Sequence, residues 1–346
     1  RLVAPSVPST RDLLSACDAI DRVHSTPGWI DPVSRWASVG AYAESPVSVL
    51  DACQGGIGNC YFISTLAGIA WIRPDIITSG SWRGGSARVP RSGQQTFTFN
   101  QPASNPVPRG GPSGGPFVDF PPRDYTVSVT ASVPVFKDDT GTFWCTPTYG
   151  HGVVPSQSWP AMWEKAVAKM IGHDPSDRPN MRSVAFTLYS PNAVLLAGGG
   201  ATNIEWFETH TRTRPASAED VWRYLVEHCD PSGKVTSVLG ADSRYTAPGD
   251  VRGGAVSETA NIVGAHVYTV LGIAHERGRR LVALRNPWGN MAPIGGDGRE
   301  EWMGLRIGQG GVGMIDFNVF VDTFLGITGN WYGTPRFGDI VPPNYR

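Results

Sequence analysis

The chain has 346 residues, with 29 basic against 30 acidic side chains and a net charge of −1. That length supports two domains or two lobes with cores that need no disulfide staples, and the near-neutral balance speaks against nucleic acid or an anionic membrane surface as a general partner. No apolar run approaches the ~18 residues of a membrane span, and no CxxC or HExxH supports a zinc site. The five cysteines, at 17, 53, 60, 145 and 229, leave at least one unpaired. The start at Arg1, with no signal-peptide pattern behind it, reads as part of a larger precursor and leaves the compartment open.

In chain order, Leu13, Leu14, Cys17 and Ile20 recur at helical spacing behind Thr10, which predicts a short helix over 10–20. Trp29, Trp36 and Tyr42 follow in a Pro-punctuated stretch and read as loop anchors. The organising stretch is 51–71, DACQGGIGNCYFISTLAGIAW. A loop bearing Gly55, Gly56 and Gly58, free to take positive φ, opens a buried helix with Asn59 as N-cap and Cys60 on its first turn. Pro74 should stop that helix near Arg73. A sulfur at the positive end of a helix dipole is expected to favour thiolate, a nucleophile's setting. Buried, inert packing is the commoner fate of a cysteine, so the case needs a partner elsewhere in the chain.

The region 79–122 is dense in Gly, Pro, Ser and Arg and reads as a mobile insertion, a passive surface loop more than a lid, with a small strand over 96–99. Alternation over 125–133 predicts a half-buried strand. Ser158, Pro160 and Gly172 bracket a helix over 158–172 with Trp163, Val167, Met170 and Ile171 on its stripe, and Glu164 beside that stripe reads as a solvated residue. The run LLAGGGAT at 195–202 is the candidate boundary between lobes, dividing 1–200 from 201–346. A helix over 217–229 carries a capping box from Ser217 to Asp220. Strands are expected over 235–239, 267–273 and 280–285, and a closing helix over 317–325. The order is helices first, strands second.

His266 begins one of these strands and Asn286 ends the next, equidistant from Glu276 in the connecting turn. In an antiparallel hairpin such residues face one another, so the two should be neighbours within a residue or two. An asparagine oxygen there accepts from one ring nitrogen, fixes the tautomer and aims the other nitrogen outward. Cysteine, histidine and asparagine together suit nucleophilic catalysis. Trp288 is placed to shield the His–Asn bond from water.

QGGIGNCYF at 54–62, GAHVYTVLG at 264–272 and RNPWGN at 285–290 resemble the cysteine, histidine and asparagine boxes of the calpain family of cysteine peptidases. Weaker echoes lie at 163–172, 198–207 and 311–324. Tyr61, Asn59 and Ala265 depart from the usual Trp, Asp and Gly without removing a catalytic atom. The resemblance implies an α+β, papain-like two-lobed fold, with a mainly helical lobe carrying Cys60 and an antiparallel β-sheet lobe carrying His266 and Asn286. It implies an endopeptidase acting on protein or peptide substrates, with Gln54 completing an oxyanion hole and Gly58, Gly264 and Trp288 at the substrate cleft. It also implies one calcium (Ca2+) site on Asp51 and Glu164; the second acidic set of the family falls on Ala292, Gly310 and Val312 and is lost. The rival readings are a papain-like deamidase or transglutaminase and a non-catalytic protein-binding module.

Overall fold

The computed structural model describes residues 30, 34–39, 42, 46–84, 93–100, 124–137, 143–147, 150–152, 157–172, 174–184, 200–205, 216–244, 255–257, 260–289, 294 and 298–331. The helix expected over 10–20, Trp29, Ala292 and much of 79–122 lie outside them.

The first half runs β1 (Ser34–Ser38), α1 (Cys60–Ile72), α2 (Pro74–Ser79), β2 (Gln94–Asn100), β3 (Asp124–Thr130), β4 (Ser132–Lys137), β5 (Phe143–Pro147) and α3 (Trp159–Ile171), then one 3-10 turn (Met181–Val184). The second half runs β6 (Gly200–Glu205), α4 (Ala218–Glu227), β7 (Lys234–Ser243), β8 (Ala255–Ser257), β9 (Ile262–Val263), β10 (Val267–Glu276), β11 (Arg279–Arg285), β12 (Glu301–Trp302), β13 (Leu305–Arg306), β14 (Val312–Asp316), α5 (Phe317–Thr323) and β15 (Phe324–Trp331). The class is α+β with antiparallel sheets, and among the described residues the first half carries strands beside its helices. It carries β1, β4 and β5 as one sheet and β2 paired with β3 as another. Trp36, expected in a loop, lies on β1 opposite Pro134.

The second half is built on a six-stranded antiparallel sheet of order β14-β11-β10-β7-β15-β6. Its middle strands β10 and β11 are apolar on both sides because both faces are covered. Along β11, Leu281 and Ala283 join a core with Phe62 and Leu66 of α1 and Trp163 of α3. Val282 and Leu284 face the other way, among Val221 and Leu225 of α4 and Phe317 and Phe320 of α5. The first core therefore passes from α3 through α1 into the sheet, and α1 is enclosed on nearly every side, with residues 61–70 all buried. Each large apolar side chain buried there contributes about 1.5–3 kcal/mol. Among the described residues no helix is long and apolar enough to cross a membrane.

Local signals place several boundaries. Helix α1 ends at Ile72, before Pro74, which then opens α2. Ser217 and Asp220 cap α4 reciprocally. Asp316 caps α5 by accepting from the Asn318 N–H. The alternating run expected over 125–133 breaks at Ala131 into β3 and β4. Phe324 and Leu325, expected in the last helix, instead belong to β15, the strand that lies between β7 and β6.

Candidate active site

Helix α1, which begins at Cys60, is fastened along β10, the strand that starts one residue past His266. Ser64 Oγ donates to Val267 O (2.8 Å), Thr269 Oγ1 donates to Ser64 O (2.9 Å), and Trp71 Nε1 donates to Leu271 O (3.0 Å). Gly68 permits the close approach, since a Cβ there would meet Val238 Cγ1 at 2.8 Å. Cys60, the first residue of α1, consequently interacts with the backbone of Val267, one residue past His266.

The loop ahead of Cys60 differs from the sequence reading in two respects. Gly55, Gly56 and Gly58 do not take positive φ; the left-handed positions at this site are Gly289 (φ 62) and Ala265 (φ 52). Ala265 stands where the resemblance expects glycine, and an alanine there bears the Cβ crowding that glycine avoids. Asn59 makes no side-chain cap to the helix. Its Nδ2 donates instead to Glu164 Oε1, while Gly150 N donates to Glu164 Oε2 (2.9 Å). Glu164 is therefore not solvated: it is 1% exposed, because α3 is covered on the face that its apolar stripe alone does not predict.

His266 and Asn286 meet as expected, by a slightly different register. The hairpin turns at Arg277 and Gly278, both at positive φ, and an irregularity between Val270 and Gly272 shifts the pairing. Thr269 then opposes Arg285, so Asn286 sits one step beyond the last pair and diagonal to His266. His266 Nε2 lies 2.9 Å from Asn286 Oδ1, and the Trp288 N–H donates to that same oxygen (2.9 Å). Because a backbone N–H only donates, the atom it meets is the amide oxygen. Nε2 must then carry the proton, which leaves Nδ1 as the ring's acceptor. The His266 backbone is held by Ser243, whose Oγ accepts from His266 N (3.0 Å) and donates to Val263 O (2.7 Å). Sequence reasoning missed Ser243, which carries no motif.

Gln54 is oriented in the same manner. Trp288 Nε1 donates to Gln54 Oε1 (3.1 Å), and Gln54 Nε2 donates to Ile57 O (2.7 Å). An indole nitrogen only donates, so the amide presents its NH2 end, with a second hydrogen beyond the one given to Ile57. The Trp288 ring lies over His266 with centroids 4.5 Å apart. Of the expected cleft residues, Gly58 and Trp288 are half-buried and Gly264 is buried in the bend before His266.

Burial governs the protonation of the pair. It pushes the half-buried Cys60 thiol up to about 11 against the backbone N–H groups of Val267, Tyr61 and Cys60, with the Asp242 charge adding to the rise. The helix terminus therefore does not yield the resting thiolate expected from the dipole. Burial likewise lowers His266 to about 4, opposed by the Asn286 hydrogen bond. Thiol and neutral imidazole are the resting forms.

Asp51 and Glu164 are each engaged by protein donors: Asp51 Oδ2 accepts from Ser48 N (2.8 Å) and Trp159 Nε1 (3.4 Å), and both Glu164 oxygens are taken as above. Calcium demands six to eight oxygen ligands converging on one point. Among the described residues no three His, Cys, Asp or Glu side chains gather in that way. As arranged, both carboxylates are held by protein donors.

A thiol heading a buried helix, an imidazole with its tautomer set by an amide, and a second amide with its NH2 end presented are the residue types that nucleophilic cysteine chemistry uses. The pattern of the calpain family cysteine proteases matches residues 125–307, more than half of the chain, which belongs to that family. The match takes in His266 and Asn286 and stops short of Gln54 and Cys60. The chain is also similar to the calpain-type cysteine protease ADL1 of Oryza sativa subsp. japonica, 24% identical over 259 residues, which are 74% of this chain and 10% of that protein. The chain thus spans about a tenth of its curated relative.

Proposed function

We propose that this chain is a cysteine endopeptidase that hydrolyses peptide bonds of protein substrates through Cys60, His266 and Asn286. The observation that carries the reading is the 2.9 Å contact of His266 Nε2 with Asn286 Oδ1. It leaves Nδ1 free to accept a proton, on a residue adjoining the backbone against which Cys60 lies. Two lobes, one bearing Cys60 and the other His266 and Asn286, would meet in a substrate groove.

In this mechanism the Cys60 thiol passes its proton to His266 Nδ1 as the sulfur attacks the scissile carbonyl. The burial that keeps each partner neutral also makes the thiolate–imidazolium pair mutually supporting once the proton has moved. The oxyanion is held by the Cys60 N–H and the second Nε2 hydrogen of Gln54, a type of donor worth about 10²–10³ in turnover. His266 then gives its proton to the leaving amine, releasing the new N-terminus. Water, deprotonated by the same imidazole, cleaves the thioester and frees the acid. Asn286 keeps the ring aligned throughout, and no step passes through calcium.

The deciding experiment is cleavage of a denatured protein substrate by wild type and by Cys60→Ala, read by mass spectrometry, with thermal melting as the check on folding. New termini in the wild type and none in a folded Cys60→Ala protein support the proposal. Persistent cleavage by Cys60→Ala overturns it. A mass gain at glutamine with an intact backbone would replace hydrolysis by deamidation.

A further inference from the structure

We propose that Arg285 is a positioning residue for the Gln54 amide, locking the segment before Cys60 onto the strand end that carries Asn286. The proposal rests on the catalytic reading given above. Arg285 closes β11 and is 0% exposed, one of the largest fully buried side chains of the protein. Its Nη2 crosses to the cysteine segment, donating to Leu50 O (3.0 Å) and to Cys53 Sγ (3.6 Å). Its Nε and Nη1 have no hydrogen-bond partner. A buried guanidinium with unfilled donors is costly, and an apolar side chain of similar volume would fill the space at lower cost. Packing alone therefore does not account for the residue.

Its neighbours show what the link serves. The Gln54 N–H donates to Pro287 O (2.8 Å) and its side-chain oxygen accepts from Trp288 Nε1 (3.1 Å). Cys53 Sγ packs on Gly289, where a Cβ would stand 3.1 Å from the sulfur. Residues 285, 287, 288 and 289 thus all meet the segment 50–54, while the intervening Asn286 side chain turns to His266. One strand end aims the imidazole and, through Arg285 at its root, anchors the oxyanion donor. Without the Leu50 and Cys53 contacts, Gln54 keeps its two links to 287 and 288 and its side-chain bond to Ile57 O, but the segment before it loses its side-chain tie to the strand end.

The test compares Arg285→Met, Arg285→Lys, Gln54→Ala and the Arg285→Met/Gln54→Ala double variant, in peptide cleavage and in alkylation of Cys60 by iodoacetamide. Alkylation is a displacement at carbon that develops no oxyanion, so it reports the thiol and imidazole but not the amide donor. Arg285→Met is expected to lower kcat about tenfold to hundredfold, less than loss of the donor itself, with KM little changed. Alkylation should stay within about twofold of wild type, and Arg285→Met should lower kcat no further in the Gln54→Ala background. Arg285→Lys, which lacks the planar fork, should fold and show the same selective loss, and it carries the test if Arg285→Met does not fold. Parallel loss of alkylation and turnover, or effects that multiply in the double variant, would overturn the proposal. Cleavage that survives Cys60→Ala would instead remove the catalytic reading, and this proposal with it.

Discussion

Asn286→Ala tests the site most directly. Asn286 is 0% exposed, and its Oδ1 serves both His266 Nε2 and Trp288 N, each at 2.9 Å. Truncation leaves the buried His266 donor and the half-buried Trp288 N–H without that acceptor, at about 1–3 kcal/mol for the first and less for the second, so the protein should lose about 1–4 kcal/mol of stability. Turnover falls for a separate reason. The Asn286 bond favours the protonated ring while burial holds the imidazole at about 4, so without it the imidazolium becomes still harder to form. A hydrogen bond to a charged group is worth about 1.5–3 kcal/mol, which at 1.36 kcal/mol per decade predicts a kcat loss of about 10- to 150-fold. The assay is kcat and kcat/KM on a fluorogenic peptide across pH, at a temperature where melting shows the variant folded. Asn286→Asp provides the contrast, since a carboxylate at Nε2 raises the imidazole and moves the pH profile to higher values. A folded Asn286→Ala protein with undiminished kcat would refute the orienting role.

Other perturbations separate the remaining parts of the site. Trp288→Phe keeps a ring over His266 but removes the N–H that orients Gln54; loss of one neutral hydrogen bond, about 0.5–1.5 kcal/mol, predicts a kcat about 2- to 12-fold lower, and an unchanged kcat would show that Gln54 needs no such support. Ala265→Gly relieves the Cβ at φ 52 but loosens the unfolded chain, so stability should change by less than about 1 kcal/mol with kcat retained; a large loss would mean that the Ala265 methyl packs in the site. Burial raises Glu164 from 4.5 to about 7, so between those values the folded protein keeps a proton that the unfolded chain has released. Its contribution to stability therefore declines as pH rises through that window, by roughly 3 kcal/mol in total; the melting temperature of Glu164→Gln measured against pH should lack that decline. Because protein donors already engage Asp51 and Glu164, melting and cleavage should be the same with calcium and with chelator; a calcium-dependent rise in either would restore both residues as ligands.

Residues that announce their own backbone geometry were legible from the chain. Pro74 ends α1, the Ser217–Asp220 box starts α4, and the apolar runs of β7, β10 and β11 appear as strands. The encounter of His266 with Asn286 was legible as well, because a hairpin converts separation along the chain into proximity. These signals act within a few residues, where sterics and hydrogen bonding depend on little else.

Other features depend on what distant segments deliver to the same place. Glu164 reads as solvated on its own helix, and becomes buried because Asn59 and Gly150 arrive to donate to it. Arg285, to which the sequence assigned no role beyond closing a strand, is an interior tie because Leu50 and Cys53 meet it. The resting Cys60 thiol follows the same rule: a helix terminus favours the anion, but the burial that raises it is set by the strand against which α1 is fastened. Periodicity specifies which face of an element is apolar, whereas the solvation of any one polar group is set by whichever partners the fold brings to it.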